Sequence, residues 1–258
     1  MTLLETEGLE KSFGAVQALD HPDISVQRGE IVGLIGPNGA GKSTFFNALT
    51  GVDPPDAGTV WFDGEDITGL SPDRVARRGL VRTFQQTREI GTMTVIDNIR
   101  LGGTDRPGER TVPALINGER TREREAEVTT RATELLEFFD LDHMADSYAS
   151  SLSGGQRKLL EIARALMLEP ELFVLDEPLA GVNPTLGQSI TEYIGRLNDD
   201  GMTFVIIEHD IEALRGLVDR LVVMHQGRVL AEGDPEDILS NDRVVDAYLG
   251  DMVAEAPE

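Results

Sequence analysis

The chain has 258 residues, 40% of them hydrophobic, with 46 acidic against 23 basic side chains, a formal net charge of −23 and no cysteine. Disulfides, thiolate metal sites and cysteine nucleophiles are excluded, and the missing basic footprint argues against nucleic acid as a partner. No run of about 18 apolar residues is available to span a bilayer, and Met1-Thr2-Leu3-Leu4-Glu5 lacks a basic region followed by an apolar block, so a cytosolic protein is expected. Lys11, Lys42 and Lys158 are the only lysines; every other cation is arginine. An acid-rich, lysine-poor surface is what concentrated salt favours, because screening removes the self-repulsion.

In chain order, residues 3–35 alternate short apolar runs with turn signals and predict a small antiparallel sheet feeding a first core strand, Ile31-Val32-Gly33-Leu34-Ile35. Directly after it, Gly36-Pro37-Asn38-Gly39-Ala40-Gly41-Lys42-Ser43 meets every fixed position of G-x-x-x-x-G-K-[S/T]. Thr44 to Thr50 then reads as one or two helical turns stopped by Gly51. Glycines at this spacing let successive N–H groups turn inward on a phosphate chain at the positive end of a helix. Lys42 would add a point charge at the outer phosphates and Ser43 a hydroxyl for Mg²⁺. The chain is therefore expected to bind a nucleoside triphosphate.

Val60-Trp61-Phe62 with Asp63-Gly64 reads as a further strand and turn. From about Asp97 to Asp146 a polar Gly- and Pro-containing stretch gives way to a charged helix near Arg120 to Phe139, a texture expected of a helical subdomain inserted in an α/β core. Leu152-Ser153-Gly154-Gly155-Gln156 opens a helix predicted to run from Gln156 to Leu168. Free N–H groups, the dipole and a hydroxyl make such a start an anion site. Two anion sites in one chain suggest a triphosphate sandwiched between two copies. Leu172 to Leu175 and Thr203 to Ile207 are buried parallel strands separated by a helix near Gly187 to Leu197. The first ends in Asp176-Glu177, placed to hold Mg²⁺ and to polarise water. The second ends in Glu208-His209-Asp210, where a histidine would be placed to contact a γ-phosphate and help orient the water. Leu221 to Met224, Gly227 and Val229-Leu230 predict a hairpin before a final helix.

These motifs, almost end to end, resemble the ATP-binding subunit of ATP-binding cassette (ABC) transporters. GPNGAGKST is similar to that family's Walker A loop, LSGGQ to its signature and LFVLDEP to its Walker B strand. Gln85 in RTFQQ falls where the family has its Q-loop glutamine, with Gln86 adjacent, and His209 where it has the switch histidine. Phe13 in KSFGAVQAL resembles the aromatic that stacks on adenine. The stretch Ala180-Gly181-Val182-Asn183-Pro184 lacks the usual D-loop aspartate, and EPLAGVNP with RTFQQTREIGTMTVIDNI is similar to the branched-chain amino acid importers, the longer of their two ATPase subunits.

The resemblance implies a P-loop NTPase cassette: a RecA-like parallel-sheet core with an antiparallel β subdomain over about 1–85 and 155–250, and a helical subdomain over about 86–154. It implies ATP held by Phe13, Gly36, Pro37, Asn38, Gly39, Ala40, Gly41, Lys42, Ser43 and Thr44, with Ser153, Gly154, Gly155 and Gln156 of a second subunit closing over the γ-phosphate. Glu177, His209 and Gln85 would be catalytic, and Ser43, Gln85 and Asp176 would hold Mg²⁺. Implied partners are transmembrane permease subunits, a second ATPase subunit (a copy or a paralogue) and, indirectly, an extracellular solute-binding protein, at the cytoplasmic face of the membrane. ATPases for urea, short-chain amides or lipopolysaccharide share much of the pattern, as do soluble cassette ATPases.

Overall fold

The computed structural model describes residues 1–83, 89–103, 118–208 and 214–254, and they divide into two compact units. The first comprises Met1–Arg82, Glu171–Ala180 and Ile194–Glu258; the second comprises Thr83–Pro170 and Gly181–Tyr193.

The first unit carries two sheets. The antiparallel sheet has the order β2 (Val16–Asp20), β1 (Thr2–Phe13), β5 (Ala57–Phe62), β6 (Glu65–Asp66), with β3 (Ser25–Gln27) also pairing β1. Alternation in β1 buries Leu3, Leu4 and Leu9 while Glu5 and Glu7 stay exposed, as a half-solvated sheet requires. The core sheet runs β11 (Arg228–Gly233), β10 (Arg220–His225), β4 (Ile31–Ile35), β9 (Thr203–Ile207), β8 (Leu172–Asp176), β7 (Leu80–Arg82). From β10 to β7 every pairing is parallel, and β11 returns antiparallel. Every residue of β4, β8 and β9 is buried, which explains why they read as continuous apolar runs. Phe45 and Phe46 of α1 (Lys42–Leu49) join one core cluster with Leu34, Val174, Val205 and Met224 of this sheet and Leu9, Val60 and Phe62 of the other. That cluster fixes the helix on which the glycine-rich loop after β4 ends. Short α2 (Pro72–Ala76) precedes β7, and α7 (Pro235–Leu239) and α8 (Asp242–Ala254) follow β11.

In the second unit α3 (Val95–Gly103) packs against α5 (Gly154–Leu166) and α4 (Gly118–Phe138). Phe138, Phe139 and Tyr193 form an aromatic cluster with centroids 4.9–5.5 Å apart, and the Tyr193 hydroxyl donates to Asp140 at 2.8 Å. Tyr193 belongs to α6 (Pro184–Asp199), whose residues divide between the two units.

Helix boundaries differ from expectation in places: helix α1 begins at Lys42 rather than Thr44. Helix α5 begins at Gly154 rather than Gln156 and ends at Leu166, the chain leaving it through Glu169 at φ 51°. Helix α6 begins at Pro184 rather than near Gly187: Asn183 Oδ1 accepts from Leu186 N–H at 3.0 Å, and proline suits a first helical position. Helix α3 was not anticipated at all.

Candidate nucleotide-binding site

Parallel sheets bind ligands at the carboxyl ends of their strands, and here β4, β9 and β8, hydrogen-bonded neighbours in that order, bring three motif ends to one edge. The loop after β4 owes its shape to glycine. Gly36, Gly39 and Gly41 have φ of 151°, 76° and 101°. A Cβ at Gly36 would strike the Met224 carbonyl oxygen, and one at Gly41 would sit 2.5 Å from that of Ala18. Both strand and turn press against the loop: Gly227 N–H donates to Ala40 O at 2.9 Å, and Asp20 N–H donates to Gly227 O at 2.9 Å. A Cβ at Gly39 would meet nothing within 4 Å. Asn38 and Gly39 are exposed, whereas Pro37 and Ala40 are buried.

Lys42 opens α1, is 7% exposed, and donates to Gly36 O at 2.6 Å and Pro37 O at 3.0 Å. Burial pushes its ammonium below the usual lysine value, while the Glu177 and Asp176 carboxylates pull it up. Lysine and both acids therefore share one electrostatic neighbourhood. Ser43 is exposed in the first helical turn with Thr44 half-buried beside it.

Asp176 ends β8. Its Oδ2 accepts from Arg82 Nη2–H at 2.7 Å, in a pair whose side chains are 6% and 15% exposed. Glu177 follows at φ 50°, a left-handed conformation that costs a non-glycine residue about 1–3 kcal/mol. Its N–H donates to Ile207 O at 2.9 Å, which ties the turn to the end of β9. Next in β9's path, the buried Glu208 carboxylate accepts from Leu179 N–H at 2.8 Å and fixes the segment after Glu177. His209, Gln85 and Gln86 lie outside the described residues.

Phe13 ends β1 with half its surface exposed, and the Lys11 ammonium sits 5.7 Å from its ring centroid. Lys11 is held there by Asp53 at 2.6 Å. An exposed ring at a strand end is what a stacking platform needs.

In the second unit, Ser153 caps α5 in a reciprocal capping box: its Oγ accepts from Gln156 N–H at 3.3 Å, and Gln156 Oε1 accepts from Ser153 N–H at 3.0 Å. Two of the side chains read as ligands thus hold the helix start in shape. The glycines between them differ. A Cβ at Gly155 would run into the Leu186 side chain, while at Gly154 it meets nothing within 4 Å. One glycine permits packing; the other leaves the helix start open. Sequence reasoning missed Arg82 and Glu208. The only signals were a cation closing the short run Leu80-Val81 and an acid beside a histidine.

The family model described as ABC transporter matches residues 19–180, and that of the branched-chain amino acid ATP-binding cassette transporter matches 228–254. The chain is 43% identical over 255 residues to a probable branched-chain amino acid transport ATP-binding protein of Archaeoglobus fulgidus, covering 99% of this chain and 98% of the relative. It is 40% identical to the high-affinity branched-chain amino acid transport ATP-binding protein of Escherichia coli K12, covering 96% and 98%. Among solved structures, the ADP conformation of an ATP-binding cassette of an ABC transporter superposes with TM-score 0.85 at 42% identity, covering 97% and 99%.

Proposed function

The chain belongs to the ABC transporter family, and on that premise we propose that it is the ATP-hydrolysing subunit of a branched-chain amino acid importer. One observation carries the reading. A glycine-shaped loop after β4 holds a buried lysine whose electrostatic surroundings include the two carboxylates at the end of β8, one strand beyond β9. The curated relatives named above support the solute, as does the match over residues 228–254.

Each residue's part follows from its chemistry. The N–H groups of Gly36 to Lys42 and the Lys42 ammonium neutralise the β- and γ-phosphates. Phe13 stacks on the base. Ser43 and Asp176, with Gln85, supply hard oxygen donors at a helix start and a strand end, a set that suits Mg²⁺. When bound, Mg²⁺ would offset charge on the phosphates. Glu177 takes the proton of a water attacking the γ-phosphorus, the bond to the ADP oxygen breaks, and His209 orients the departing phosphate. Ser153, Gly154, Gly155 and Gln156 close over the γ-phosphate of a second ATPase subunit, so nucleotide joins the pair and hydrolysis releases it.

The second unit, with Gln85 at its start, is the relay to a permease partner, and the chain works peripherally at the cytoplasmic membrane face. Among the described residues no helix is long and apolar enough to cross a membrane. The acid-rich composition supports work in a salt-rich cytoplasm. Pull-down of the tagged chain from membranes tests the assignment. Recovery of a permease for branched-chain amino acids is the expected result; recovery of another solute's permease overturns the substrate, and ATPase activity with no membrane partner overturns the transport role.

A further inference from the structure

Arg82 is the element of the site that neither the motifs nor the mechanism above uses. It closes β7, in register with Val174 of the parallel neighbour β8, and so stands beside the end of the strand that carries Asp176. Its guanidinium is spread between two elements: Nη2–H donates to Asp176 Oδ2 at 2.7 Å and Nη1–H to Asn47 Oδ1 on α1 at 2.8 Å. The Cζ atom lies 5.7 Å from the Phe46 ring centroid, on that same helix. Among the described residues the buried Nε–H has no acceptor.

Two features of this arrangement matter. A buried carboxylate needs a counter-charge, and Arg82 supplies a permanent one at hydrogen-bonding distance. Asp176 is also an acid whose oxygen chemistry suits a divalent cation, as argued above. A guanidinium cannot lose its proton, so it opposes a second cation at that carboxylate for as long as it stays. The orphaned Nε–H means that the guanidinium is incompletely satisfied where it is, which lowers the cost of moving it. Asn47 and the Phe46 face hold the guanidinium from the α1 side in the position where it meets Asp176.

We propose that Arg82 is a resident counter-ion of Asp176 that a divalent cation must outcompete, so that it sets how much metal the site needs. The inference rests on the nucleotide-binding reading above. The opposite role is equally concrete: an arginine that merely holds Asp176 in place for the metal would weaken metal binding when removed. The sign of the effect separates the two.

The experiment measures the affinity of the full chain for fluorescent ADP in EDTA and at rising Mg²⁺, in wild type, Arg82→Gln and Arg82→Lys. In EDTA all three are expected to bind ADP alike; a wild type that binds no ADP overturns the nucleotide reading rather than this one. With Mg²⁺, Arg82→Gln is expected to need about tenfold less metal to reach half of the tightening, since one unit charge at this range is worth at least that. Arg82→Lys, which keeps the charge but not the fork, should stay within about threefold of wild type. An unchanged or raised metal requirement in Arg82→Gln overturns the proposal. Thermal melting gives an independent readout: Arg82→Gln without nucleotide should melt lower than wild type, and Mg²⁺ alone should recover more of the loss than it adds to wild type. Should Arg82→Gln not fold, Asn47→Ala carries the test. Losing the Nη1 anchor is expected to lower the metal requirement severalfold, and no change overturns the proposal.

Discussion

Gly154 and Gly155 are adjacent in the helix start, yet only one of them is explained by the fold of a single chain. A methyl group at Gly154 meets nothing within 4 Å, and its φ lies outside the positive range. Replacing glycine by alanine at such a position stabilises a protein by about 0.4–1 kcal/mol, through the unfolded chain. For a domain of this size that raises the melting temperature by roughly 1–4 °C. If the helix start covers a second subunit's triphosphate, the same methyl group stands where phosphate oxygens must approach Gly154 and Gly155 N–H. Each charge-assisted hydrogen bond lost there costs about 1.5–3 kcal/mol, so nucleotide-driven dimerisation should weaken about 10- to 150-fold. The assay is size-exclusion chromatography with light scattering over an ATP titration, comparing Gly154→Ala with the parent in a Glu177→Gln background that prevents turnover. A more stable protein that dimerises poorly is the expected combination. A Gly154→Ala variant that dimerises at the parent's ATP concentration would refute the intersubunit role. Gly155→Ala is the contrast: Leu186 must swing aside at about 0.5–1.5 kcal/mol, and adding Leu186→Ala should restore stability without restoring dimerisation.

Glu177→Gln itself should bind ATP normally, lose at least about a hundredfold in turnover and accumulate as an ATP-bound dimer; a species that stays monomeric with ATP and Mg²⁺ counts against the assignment. Phe13→Ala should weaken nucleotide binding by about 0.5–1.5 kcal/mol, roughly two- to twelvefold, measured by fluorescent-nucleotide titration, and equal affinities would remove Phe13 from the site. For Lys42, burial holds the folded value below the ordinary 10.5, so the unfolded chain binds the extra proton in the window just beneath it. Stability without nucleotide should then rise with pH across that window and the rise should flatten in Lys42→Met; identical slopes in denaturant titrations would refute it. At a net charge of −23, the unfolding midpoint should climb from low to molar KCl as repulsion is screened, and constancy across the series would sink the high-salt reading.

What the sequence made legible is what local chemistry dictates. The strands β4, β8 and β9 read as apolar runs because all their residues are buried, and the glycines of the loop after β4 stood out because backbone demands at Gly36 and Gly41 require them. Helix α3 stayed hidden because its core contains a polar residue. Asn98 is fully buried, its Oδ1 accepting from Ile90 N–H and its Nδ2 donating to Ile90 O and Thr94 O, so it interrupts the apolar period that betrays a helix. The early start of α5 was hidden by two poor helix formers whose cost the Ser153–Gln156 capping box offsets. Arg82 and Glu208 were missed for a different reason. Their partners, Asp176 and Leu179, lie 94 and 29 residues away, and only the strand order brings them together.

That pattern also bears on how so acidic a chain holds a polyanion. Net charge acts over the Debye length, about 8 Å at physiological ionic strength and about 3 Å at 1 M, so 23 uncompensated negative charges matter at long range in dilute salt and little in concentrated salt. The groups that would face the phosphates act at contact. They are the amides of Gly36 to Lys42, the Lys42 ammonium already bonded into its own loop at 2.6 and 3.0 Å, and the first turn of α1. Directional donors at hydrogen-bond distance in a partly buried site are screened far less than exposed charges. A basic surface would attract nucleotide from afar but lose that advantage in salt. A loop built from backbone donors keeps its affinity there. The surface can therefore be tuned for the solvent and the loop for the ligand, with the buried ion pair of Arg82 and Asp176 offsetting one of the two carboxylates at the end of β8.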